Sequence, residues 1–149
     1  MKETAIDPIR QDCYNNLHYV DYEVMNIPRQ TEYWLKSAEE DFEVGRNLIE
    51  ADKPRHGLFF IHLALEKTLK ACFCKKQGKT PPKIHNLIKL YQLAGFETDI
   101  ERQDALGALN RFCLEGRYPE EWPVIPDKKE ARRYLKTAEE IIKWLKKQL

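Results

Sequence analysis

The sequence reads as an all-α protein: an antiparallel up-and-down four-helix bundle with one additional short helix. Three observations carry that reading. Apolar residues recur every three or four positions through four long stretches. Prolines and glycines fall between those stretches and seldom inside them. Alternating strand patterns are almost absent after residue 30.

The elements follow in order. Residues 1–30 show no helical period and are expected to form an extended or partly ordered N-terminal extension; HYVDYEVMNIPRQ alternates enough for a short strand. Pro28 is expected to separate this segment from the helical domain at 31–149. Thr31 is expected to cap the first helix, in which Trp34, Ala38, Phe42, Gly45 and Ile49 share a face opposite Glu39, Glu40, Asp41 and Glu43. A second helix should start at Pro54, since proline suits a first turn, and stop at Gly78. Leu58, Ile61, Leu65, Leu69 and Cys72 form its stripe, and Phe59, Phe60, Leu63 and Phe73 widen it, which predicts a central position. After the TPPKI loop, HNLIKLYQLAG predicts a short helix closed by Gly95. A fourth is expected from about Thr98 to Leu114, ended by Gly116 and Pro119. EGRYPEEWPVIP reads as loop, and Asp127 caps a last helix with the seam Ala131, Tyr134, Ala138, Ile141, Leu145 and Leu149.

Bulk properties exclude some functions. At 149 residues the chain is expected to be one domain with a core of its own. Charges nearly balance at +1, so net charge argues neither for nor against nucleic acid. No apolar run approaches the ~20 residues that span a bilayer, and MKETAIDPIRQD lacks the apolar core of a signal peptide. A cytoplasmic protein without a membrane partner is expected. The four cysteines, Cys13, Cys72, Cys74 and Cys113, form no Cys-x-x-Cys pair. They read as buried free thiols, and no metal site is expected.

Several polar groups invite a functional reading, each beside a structural one. His62, Glu66 and Lys70 lie at intervals of four and share a helix face. They read either as a surface salt-bridge ladder or, with Lys67, as groups at a bundle groove that position a partner or phosphate. His85 either locks its loop by hydrogen bonding to nearby backbone or, with His62, offers an imidazole for proton transfer. Arg111 and Arg117 straddle the end of the fourth helix. They read as cations favoured by the helix dipole or as forks that hold phosphate or carboxylate, with Tyr118 and Trp122 beside them. The last helix is basic on its outer face, at Lys128, Lys129, Arg132, Arg133, Lys136, Lys143, Lys146 and Lys147, and reads as a solvated face diluted by Glu130, Glu139 and Glu140.

WLKSAEEDFEVGRNLIE, FFIHLALEKTLKA, the IHNL turn and GRYPE, in this order and spacing, resemble the HEPN family over about residues 31–147. Ala64–Ala71 (ALEKTLKA) is similar to the family's second helix, and His85 and Leu87 to its His-x-Leu turn; Arg-Tyr-Pro is typical of one branch. The resemblance implies a helical bundle. Many HEPN domains are metal-independent ribonucleases, marked by an arginine and, four to six residues later, a histidine. Here Arg111 stands at the arginine place and Arg117 at the histidine place. An imidazole can accept a proton from a ribose hydroxyl near neutral pH. A guanidinium stays protonated, with a pKa above about 12, and has no acceptor. The resemblance therefore implies a non-enzymatic subunit: a homodimer, partner of a minimal nucleotidyltransferase in a toxin–antitoxin-like pair, with no cofactor but with a nucleotide such as ATP as ligand. The alternative it implies is a divergent endoribonuclease acting on RNA through His85 or His62.

Overall fold

The computed structural model describes residues 26–113 and 124–149. Every element among them is helical: α1 (Ile27–Glu50), α2 (Pro54–Gln77), α3 (Leu87–Leu93), α4 (Ile100–Asn110) running into a 3-10 turn (Arg111–Cys113), and α5 (Lys128–Lys146). The four-helix bundle with a short extra helix is the observed architecture. Of HYVDYEVMNIPRQ, expected to be extended, residues 27–30 are instead helical, because Pro28 suits a first turn; residues 1–25, and the loop carrying Arg117, Tyr118 and Trp122, lie outside the described residues.

α2 is central, as its wide apolar surface predicts. It packs against α1, α3, α4, the 3-10 turn and α5. Leu58, Ile61, Leu65, Leu69 and Cys72 are fully buried, joined by Ile49 of α1, Leu87, Leu90 and Tyr91 of α3, Leu106 and Leu109 of α4, and Ala131, Ala138, Ile141 and Leu145 of α5. Pro54 occupies the first turn of α2, and Gly78 ends it in the left-handed region at φ 62°, where a residue without a Cβ carries no steric penalty. Asp127 caps α5 by accepting from the Glu130 amide at 2.7 Å.

Two helix starts differ from expectation. α1 begins four residues before Thr31, with Asn26 at the cap position and Pro28 in the first turn. Thr31 is buried inside the helix and its hydroxyl donates to the Ile27 carbonyl at 2.8 Å. Pro28 does not break the chain here: a first-turn proline loses no helical hydrogen bond, so its ring suits a helix start as well as a separation. α4 starts at Ile100 because Asp99 accepts from the Arg102 amide at 2.9 Å. It tightens into the 3-10 turn before Leu114.

α1 and α2 make the largest interface of the bundle, and glycine permits its closeness. A Cβ on Gly57 would lie 2.7 Å from the Gly45 carbonyl oxygen, and one on Gly45 would lie 2.8 Å from the Gly57 carbonyl oxygen. The two backbones therefore touch where no side chain intervenes.

Part of the basic face of α5 is tied down by acids. Arg132 holds Glu50 through two hydrogen bonds of 2.9 and 2.5 Å, Lys146 reaches Glu39 at 2.6 Å, and Lys143 reaches Glu139 at 3.1 Å. Cations committed in this way are less available to a nucleic-acid backbone, and Glu50 and Glu39 of α1 join Glu139 in holding them.

Candidate functional site

The HLALEK stretch of α2 and the loop before α3 build the main polar cluster. Spacing by four places His62, Glu66 and Lys70 on one face, as periodicity requires. That face is not the surface. Glu66 is 4% exposed, Lys70 6% and His62 0%, so the surface-ladder reading is overturned: α1 and the loop after α2 cover what the helix alone would leave open. The Lys70 ammonium donates to Glu66 Oε1 at 2.7 Å and lies 5.2 Å from the centre of the Trp34 ring.

Glu66 also receives His85. The imidazole Nδ1 stands 3.2 Å from Oε1 and 3.1 Å from Oε2. A carboxylate only accepts, so Nδ1 is the donor, and in the neutral imidazole Nε2 is then the acceptor. The His85 side chain is 68% exposed while its partner is buried. This replaces the expected bond to backbone. The carboxylate attracts because it sits in a dry pocket with one positive neighbour and unused lone pairs. The result is a continuous chain of contacts from Trp34 through Lys70 and Glu66 to an outward-facing imidazole. Such an imidazole can accept a proton from a bound group while the carboxylate steadies the cation that forms.

His62 is different in kind. Its Nδ1 is 3.9 Å from Glu66 Oε2, and neither ring nitrogen has a hydrogen bond among the described residues. Burial pushes the imidazole below its usual 6.5; the Glu66 charge acts in the opposite direction but less strongly. Folded His62 is therefore neutral where the unfolded residue takes up a proton. Below about pH 6.5 the unfolded chain binds more protons, and stability falls as pH falls. The expected slope approaches about 1.4 kcal/mol per pH unit between the two pKa values. Urea denaturation at pH 7 and pH 5 should show this loss, and His62→Leu should flatten it whatever its own stability.

Lys67 points elsewhere. It pairs with Asp41 at 2.5 Å and donates to Ser37 at 2.7 Å, so its ammonium ties α2 to α1. Arg111 has different neighbours again. It caps α4, is exposed, and donates to the Tyr134 hydroxyl at 2.5 Å, with the Phe112 and Tyr134 rings 5.1 and 5.6 Å away. No carboxylate among the described residues pairs with it. Its neighbour Asn110 turns the other way, accepting from the Leu87 amide at 3.0 Å. The structure thus brings together Glu66, Lys70, His62 and His85, and leaves Arg111 among different partners.

Cys72 and Cys74 do not converge. The Cys72 thiol lies 3.8 Å from the Leu145 carbonyl and the Cys74 thiol 3.5 Å from Gln30 Oε1. Burial pushes the Cys72 thiol up to about 12, which makes it a poor ligand and nucleophile. Among the described residues no helix is long and apolar enough to cross a membrane.

The model of the HEPN domain matches residues 31–148. The chain belongs to the HEPN family. Among solved structures, this HEPN chain resembles TT1696 from Thermus thermophilus, with a TM-score of 0.69 at 20% identity over 84% of this chain and 100% of that one. It also resembles ST0689, described as an archaeal HEPN homologue, with a TM-score of 0.64 at 21% identity over 79% and 96% of the two chains. At such identities the likeness is one of fold. No curated protein matches the sequence.

Sequence periodicity places Trp34 on the inner face of its helix and says nothing more of it. Its contact with Lys70 depends on how α1 lies across α2, which no local pattern encodes.

Proposed function

We propose that this HEPN bundle is a binding subunit. It acts as a homodimeric partner of a minimal nucleotidyltransferase in a toxin–antitoxin-like pair and contacts the phosphate of a nucleotide at the end of α4. One observation carries the reading: Arg111 is exposed, braced by the Tyr134 hydroxyl, and unpaired with any carboxylate among the described residues. A cation held in place and not neutralised is suited to an incoming phosphate. The arginine at position 117, where ribonuclease members of the family carry histidine, supports binding over cleavage. Calorimetric titration of the full chain with ATP tests it. Removal of a charged hydrogen bond worth about 1.5–3 kcal/mol should weaken binding roughly 10- to 100-fold in Arg111→Ala. A strict monomer without nucleotide affinity, copurifying with nothing from its native source, would sink the proposal.

A second reading has its own observation. The Glu66–His85 pair presents an oriented imidazole with a free Nε2, the group an RNA-cleaving enzyme needs to deprotonate a 2′-hydroxyl. In this reading the protein cleaves RNA without metal, and His85→Ala abolishes the cleavage while His62→Leu retains it. Incubation with mixed RNA in chelator decides between the two readings.

A further inference from the structure

A groove of about 780 Å³ opens between the start of α1 and the loop after α2, with Tyr33 and Trp34 on one wall and Pro81 and Pro82 on the other. Its floor is fixed: Gln30 is buried and donates to the Thr80 hydroxyl at 3.1 Å, which ties α1 to the loop. Tyr33 meets Trp34 edge to face, with centroids 5.5 Å apart, and is 64% exposed. Much of a large amphipathic ring therefore stands open. Of the cations in the groove, Lys70 is already paired with Glu66. Arg29 and Lys83 are different. Both line the groove, and neither forms an ion pair among the described residues. No carboxylate among those residues lines it.

Two uncommitted cations beside an apolar wall fit an occupant that sets a few carboxylates among aromatic rings. A nucleic acid carries a charge at every residue and calls for a longer row of free cations. A wholly apolar segment would cover Arg29 and Lys83 without pairing them, which is costly. The chain itself carries a segment of the fitting kind. Residues 11–25, QDCYNNLHYVDYEVM, hold Asp12, Asp21 and Glu23 together with Tyr14, Tyr19 and Tyr22, and no lysine or arginine. They join the helical domain at Asn26, which itself lines the groove. From Asn26 to Trp34 the groove follows α1 for about 12 Å, at roughly 1.5 Å per residue. At up to ~3.3 Å per residue, the segment has more than enough length to reach back along it. A segment tethered at the mouth of a groove meets it at an effective concentration on the order of millimolar, so individually weak contacts suffice. We propose that this groove is the docking surface for residues 11–25 of the same chain, with tyrosines against Tyr33 and Trp34 and carboxylates facing Arg29 and Lys83. The proposal is independent of the nucleotide reading, because Arg111 does not line the groove.

The test is amide hydrogen exchange of residues 11–25 in the full chain, compared with a free peptide of the same sequence. Arg29, Tyr33 and Lys83 are exposed, so their substitution should leave the bundle folded. In the parent the segment should exchange at least about fivefold more slowly than the peptide. Tyr33→Ala should cancel most of that protection, as expected for loss of an aromatic anchor. The double variant Arg29→Glu, Lys83→Glu should speed exchange about three- to tenfold, since two exposed ion pairs are lost. Adding Asp21→Lys and Glu23→Lys to that variant exchanges both signs and should restore protection. Exchange in α2 should stay unchanged throughout, which separates undocking from a loosened fold. A segment that exchanges as fast as the peptide in the parent leaves the groove to another occupant and overturns the proposal, as does equal protection in all variants. A mixture of Arg29→Glu, Lys83→Glu chains with Asp21→Lys, Glu23→Lys chains should stay unprotected. If the first chain regains protection there, the groove takes the segment of a second copy, and docking within one chain is overturned.

Discussion

Glu66→Ala should destabilise the fold by about 3–5 kcal/mol, the range found when one member of a buried ion pair is removed. The Lys70 ammonium is 6% exposed, with Glu66 Oε1 at 2.7 Å as its carboxylate partner. Without that oxygen a cation remains in a dry site, and the bond that draws His85 and its loop onto α2 is lost. Glu66→Gln keeps a hydrogen-bond acceptor but not the charge, and should lose less. The decisive comparison is the double variant Glu66→Met, Lys70→Met. Replacement of both ions by apolar groups removes the desolvation penalty together with the attraction, so much of the lost stability should return. Urea midpoints at constant m-value measure all three. A Glu66→Ala chain as stable as the parent would mean that water reaches Lys70, and the buried cluster would have to be redrawn.

Gly57→Ala is expected to destabilise by about 1–3 kcal/mol, although alanine is the better helix former by nearly 1 kcal/mol. The new methyl would meet Ile49 Cγ1 at 2.5 Å, the Gly45 carbonyl oxygen at 2.7 Å and the Ile49 amide nitrogen at 3.0 Å. The isoleucine can rotate; the two backbone atoms cannot. α1 must then move off α2 along the largest interface in the molecule, and that movement also displaces Trp34 from Lys70. Thermal denaturation should show the melting temperature fall by roughly 3 °C or more. A variant that melts higher than the parent would show that propensity outweighs contact here and that the helices have room to spare.

These two sites show how differently the features of this protein can be read. The ends of α2 are legible in the sequence because a proline at its start and a glycine beyond its end each have one local physical reason, and both act where expected. Asp127 is legible for the same reason. The start of α1 is not, because a first-turn proline and a helix-ending proline look alike without the chain before them. Gly45 can be placed on the inner face of α1, yet its role is to meet Gly57, a residue that no pattern singles out.

The functional cluster divides along the same line. The common face of His62, Glu66 and Lys70 follows from a period of 3.6 residues. Burial of that face follows from α1 and the loop after α2, which lie outside the helix. His85 stands out in the sequence as an imidazole at the start of a helix, but its partner is 19 residues away, and only the docking of the loop joins them.

By itself the chain determined the helices, most of their ends and the apolar faces that must be buried. These depend on neighbours within a turn or two, where hydrogen bonding and side-chain volume act directly. The tertiary structure alone decided which polar residues became dry and left Arg111 without a carboxylate partner among the described residues. Those outcomes depend on contacts between residues far apart in the chain, and desolvation arises only when both sides of a contact are present.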